Sequence, residues 1–113
     1  MKMYIAVLDD FPDYMVPTLV AHSVLGAHLQ VSQGYVDWSP CYSDWLVNSF
    51  KKCVVRVNQK EFDKIAALPN TYLGHENKTL EGRKACAVVC PMENDKLPNV
   101  LKFAKLWKPK EAV

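Results

Sequence analysis

Two short runs, Tyr4–Leu8 and Ala85–Cys90, are apolar at every position, so a strand formed from either has no face suited to water. Such a strand belongs in the middle of a sheet, with helices covering both sides. Cys53–Val57 reads as a third buried strand. The segments between them read as helices. Pro17 suits a first helical turn, where its missing N–H costs nothing, and Thr18–Leu29 follows as a helix that is apolar nearly all round. That pattern predicts burial on more than one side. Asn58 and Glu61 have the spacing of a capping box, and Phe62, Ile65, Ala66 and Leu68 give the next helix its stripe before Pro69-Asn70 ends it. Trp45–Val47 predicts a short helix and Tyr72–Gly74 a short edge strand. Leu97–Trp107 predicts a closing helix with Pro98 in its first turn. The alternation of strands and helices predicts one α/β domain over residues 1–113, a small mixed four-stranded sheet with helices packed on its faces. A chain of 113 residues suits one core.

Bulk properties narrow the function. A formal charge of +2 is too slight for a strong nucleic-acid binder, though it permits contact with a phosphate-bearing ligand. The apolar run Met3–Leu8 stops at Asp9-Asp10, too early for a secretory core. No stretch approaches the roughly 18 apolar residues of a membrane span. A cytoplasmic protein with no membrane partner is expected. Cys41, Cys53, Cys86 and Cys90 form no C-x-x-C pair and read as small apolar residues in a reducing compartment. No metal-ligand spacing, P-loop, dinucleotide fingerprint or nucleophile elbow is present, so no metal and no cofactor are expected.

Several polar groups qualify as a site. Asp9, Asp10 and Asp13, with Tyr14 beside them, follow the first strand, and ligands of α/β sheets bind at the carboxyl ends of strands. Three acids there suit a cation or a ligand's hydroxyls and amines, or equally a solvated turn. His75, Asn77, Lys78 and Arg83 suit a phosphate bracket or an exposed hairpin. His22 is the most interesting imidazole, mid-helix beside small residues. Tyr35, Trp38, Tyr42 and Trp45 are interleaved with turn-formers. They suit a base-stacking surface, a subunit interface, or a roof over the first helix.

Element order adds a resemblance. Trp45 ahead of Lys52-Cys-Val-Val-Arg-Val, the run Gly82 to Pro91, and Leu101-Lys-Phe-Ala-Lys-Leu together resemble the type 2 peptidyl-tRNA hydrolase family over most of the chain outside Val31–Asp44. The resemblance implies the order strand, long helix, short helix, strand, helix, two strands, helix. It also implies a tRNA end as ligand, with His22 near the family's histidine. The family's lysine-bearing turn is Asp13-Tyr-Met-Val-Pro here, and its Asp-Ala-Gly-Arg-Thr run is approximately Leu73-Gly-His-Glu-Asn. Groups that activate water and steady an oxyanion are therefore missing from the expected places. The expected function is a non-catalytic or altered relative that binds or sequesters a nucleotide-like ligand or RNA end. It is expected to act as a small homo-oligomer assembled through the aromatic segment. An active hydrolase using His22, Asp9 or Asp10 and Lys78 is the alternative reading. A protein–protein inhibitor docking through Trp38 and Trp45 is a second.

Overall fold

The computed structural model describes residues 1–76 and 83–110, apart from the side chains of His75, Glu76 and Arg83. Strands β1 (Lys2–Leu8), β2 (Lys52–Val57), β3 (Thr71–Glu76), β4 (Arg83–Met92) and β5 (Lys105–Leu106) form one sheet in the order β3-β4-β1-β2-β5. Helices α1 (Val16–Ser32), α2 (Cys41–Asn48), α3 (Gln59–Ala66) and α4 (Asn99–Lys102) lie between them. β1 and β2 are parallel, with Ile5 opposite Val54 and Val7 opposite Arg56, while the other pairs run antiparallel. β1 and β4 sit at the centre, as their two apolar faces require. Met3, Ile5, Ala6, Val7 and all of Ala85–Val89 are buried.

Two faces of the sheet are covered. α1 lays the stripe Val16, Leu19, Ser23 and Ala27 on β3 and β4. Each fully buried aliphatic chain in such a stripe contributes about 1.5–3 kcal/mol. Its approach is close because Gly74 has no side chain: a Cβ there would lie 2.6 Å from Ser23 Cβ. Thr71, of opposite parity on β3, instead donates to Ile65 O at 3.5 Å, which puts α3 on the other face. The molecule therefore has three layers.

Helix ends follow the local chemistry. Asn58 Oδ1 accepts from Glu61 N–H at 2.8 Å and Glu61 Oε1 accepts from Asn58 N–H at 2.9 Å, closing the capping box at α3. α1 runs to Ser32 and ends in a Schellman motif. Tyr35 N–H donates to Gln30 O, Gly34 N–H donates to Val31 O, and Gly34 takes the left-handed φ of 79° that the motif needs.

Three expectations are corrected. The sheet has five strands, not four, because the closing helix stops at Lys102 and the chain turns extended. β5 pairs with Val55 and Arg56, and Trp107 N–H donates to Val54 O at 2.9 Å. Covering the unpaired outer edge of β2 outweighs a helical pattern that would bury little beyond Leu101. Second, α1 is buried on one side only, with Leu25 59% and Leu29 44% exposed. Third, of the three readings of the aromatic segment the roof is the one that burial fits, and the open stacking surface is corrected: Trp38, Tyr42 and Trp45 are core residues, each no more than 5% exposed. Their rings pack in sequence, tilted by 59° and 46°, at centroid distances of 5.8 and 5.4 Å. They roof the sheet where β4 ends, Trp38 O lying 3.9 Å from Cys90 Sγ.

Candidate functional site

The parallel strands β1 and β2 end side by side, and Asp9 N–H donates to Val57 O at 2.8 Å to stitch the ends together. Beyond that stitch lies a cleft of about 350 Å³, lined by Asp9, Arg56, Asn58, Glu61, Phe103 and Lys105. Asn58 and Glu61 are in place because the capping box fixes them at the start of α3. Phe103 and Lys105 are in place because α4 stops early and β5 pairs with β2.

Arg56 is the hub. Its guanidinium donates to Asp13 Oδ1 at 3.1 Å and to Lys108 O at 2.5 Å, and lies 5.1 Å from the centre of the Trp107 ring. Asp13 Oδ2 accepts the Lys110 backbone N–H at 2.6 Å, and Lys110 Nζ donates to Asp9 O. The chain after β5 is thus strapped across the turn that follows β1. The Lys110 N–H holds the Asp13 carboxyl below its ordinary value of 3.8 against the opposing pull of desolvation, with the Arg56 guanidinium adding to it.

The capping contacts use one oxygen of Glu61 and the Asn58 carbonyl oxygen. The cleft can therefore offer carboxylates at Asp9 and Glu61 to a hydroxyl or amine, the Lys105 ammonium to an anion, and the Phe103 ring, 72% exposed, to a planar group. Among the described residues, no three His, Cys, Asp or Glu side chains gather to hold a metal ion. No helix among them is long and apolar enough to cross a membrane.

Of the sequence-predicted residues whose side chains are described, the structure brings Asp9 alone to the lining of this cleft. Asp10 is exposed in the turn beside it, and Tyr14 is 82% exposed on the single-turn helix Asp13–Met15. His22 is exposed on α1 at a shallow apolar hollow with Leu25, Gly26 and Leu29, away from the cleft lining. Trp38, expected to stack on a ligand, is 3% exposed and closed off by its packing with Tyr42. His75 and Arg83 belong to β3 and β4, with their side chains outside the described residues, and Asn77 and Lys78 lie outside them altogether. Sequence reasoning missed Arg56, Phe103 and Lys105. A charged side chain inside the otherwise apolar Cys53–Val57 was the available signal for Arg56, since a half-buried guanidinium needs partners. Phe103 and Lys105 gave none, being read as part of a helix.

Among known proteins, no family model matches this chain and no curated protein matches it.

Proposed function

We propose that this protein binds a nucleotide-like ligand or RNA end without hydrolysing it, as an altered relative of the type 2 peptidyl-tRNA hydrolases. One observation carries the reading. Phe103, an aromatic ring 72% exposed, stands in the same cleft as a lysine ammonium and two carboxylates. An open ring beside a cation suits a base with its phosphate, and carboxylates suit ribose hydroxyls or exocyclic amines. The element order also runs as that family's does, from β1 through α4.

Binding is favoured over hydrolysis by what occupies the turn after β1. Where the family carries lysines, Asp13 is held by Arg56 and by the Lys110 N–H. His22 has no hydrogen-bond partner among the described residues, and an ester hydrolase needs a base placed by a neighbour. The homo-oligomer expected through the aromatic segment, and inhibitor docking through Trp38 and Trp45, lose their contact surface to the core. Only Tyr35 of that set is exposed.

Calorimetric titration with adenine and guanine nucleotides, their nucleosides and deacylated tRNA tests the reading. Phe103→Ala is expected to weaken nucleotide binding by about 1–3 kcal/mol, the worth of one stacked base. Lys105→Ala is expected to weaken nucleotides and spare nucleosides. Absence of heat with every one of these ligands would remove the proposal.

A further inference from the structure

A second concave surface lies between α1 and α2, on ground that the proposed nucleotide cleft does not touch. It is a groove of about 400 Å³ with Val24 and Leu25 on one wall, Leu46 and Phe50 on the other and Trp45 beneath, and Lys52 at its edge. That volume and its mostly apolar walls match the usual form of a small-molecule site. Among the described residues that line it, none is acidic, whereas Lys52 is basic. His28, also on the lining, is bonded through Nδ1 to Tyr42 Oη at 2.8 Å.

The cation is held in place by a strained turn. Phe50 adopts φ 61°, a left-handed conformation that a bulky L-residue rarely enters, and strain of this kind concentrates at working sites. The conformation is fixed from both sides: Phe50 N–H donates to Trp45 O at 2.6 Å, and Trp45 Nε1–H donates to Lys51 O at 2.7 Å. It leaves the Phe50 ring 57% exposed, with Lys52 Nζ only 3.3 Å from its centre and also donating to Phe50 O at 2.7 Å. A lysine parked on aromatic rings with one backbone acceptor retains further N–H donors for an anion.

We propose that this groove binds a small organic monoanion with an apolar body, of the medium-chain or aryl carboxylate kind, whose carboxylate meets Lys52 and whose body lies against Leu25, Leu46 and Phe50. Charge selects this occupant. The apolar walls of a second copy would bring no acid of their own to Lys52, since no acidic residue lines the groove among the described residues. A neutral apolar molecule would gain nothing from the ammonium beyond its contact with the walls.

The test is calorimetric titration of the full chain with decanoate and with decanol, each below its aggregation limit, alongside displacement of anilinonaphthalene sulfonate. Decanoate is expected to bind at least about tenfold more tightly than decanol. Lys52→Met should remove that preference and leave decanol unchanged. Leu25→Asp should weaken both. Lys52 and Leu25 are exposed, so both variants should melt at the temperature of the parent protein. Equal affinity for acid and alcohol would overturn the proposal. So would sedimentation as a dimer that Leu25→Asp dissociates, which would assign the groove to a second copy.

Discussion

The cleft at the ends of β1 and β2 and the groove between α1 and α2 each draw a cation from the same strand, and each treats that cation differently. Arg56, near the end of β2, is shared among protein acceptors: Asp13, Lys108 O and, at 3.4 Å, Asp9 O. Lys52, the first residue of β2, is set on aromatic rings with a single backbone acceptor. The first arrangement fastens the chain's closing segment over a polar mouth. The second keeps a charge in reserve beside an apolar wall. Net charge alone would not separate them. What separates them is whether the partner of each cation comes from within the fold.

The strongest way to break this contrast is to take away the floor of the groove. Trp45→Ala removes a side chain 2% exposed together with its bond to Lys51 O, and should cost about 3–5 kcal/mol in urea denaturation. The cleft at the other end of β2 should keep its ligand affinity wherever the variant remains folded. Next in size is Gly74→Ala. The new methyl would meet Ser23 side chain and, at 3.1 Å, Ser23 Cα, so α1 itself must shift, at a cost of about 1–3 kcal/mol. Gly26→Ala should cost less, because its obstacle is the ring end of Tyr72, which can swing. Equal losses in the two variants would show that α1 is not seated as closely as described.

A smaller effect sharpens the polar side. The Asp13 carboxyl titrates below 3.8 in the folded chain, so its contribution is present above that value and is lost as pH falls through the lower folded value. Protection of the Lys110 amide, taken relative to the intrinsic exchange rate at each pH, should therefore hold at neutral pH and be lost only in acid below the ordinary aspartate range. Asp13→Asn should flatten that dependence. Smallest in energy, but simple to read, is thiol chemistry. Burial pushes Cys86 and Cys90 up to about 12, so neither should react with iodoacetamide at about pH 8 until the protein unfolds. Partly exposed Cys41 should react first.

Much of the scaffold was legible because its signals are local. Apolar strands on both faces, the Asn58–Glu61 box and Pro17 in a first turn each depend on neighbours within a few residues. The parts that sequence did not yield are made by distant pairings. β5 exists because β2 had an open edge, and the strap exists because Lys110 meets Asp13, 97 positions away. The aromatic segment falls between these cases. Trp38, Tyr42 and Trp45 are spaced as a helical stripe, a signal for burial that the turn-formers around them obscured. Of the site residues, only Asp9 was in reach of the strand-end rule. Phe103 and Lys105 were hidden by a helical pattern that the structure does not follow.

Binding without cleavage is decided most directly by mixing excess protein with N-acetylated aminoacyl-tRNA and following the ester and the complex together. The account predicts a retained tRNA with its ester intact, and a complex weakened by Phe103→Ala. Release of the acylated amino acid at a rate that His22→Ala abolishes would contradict it.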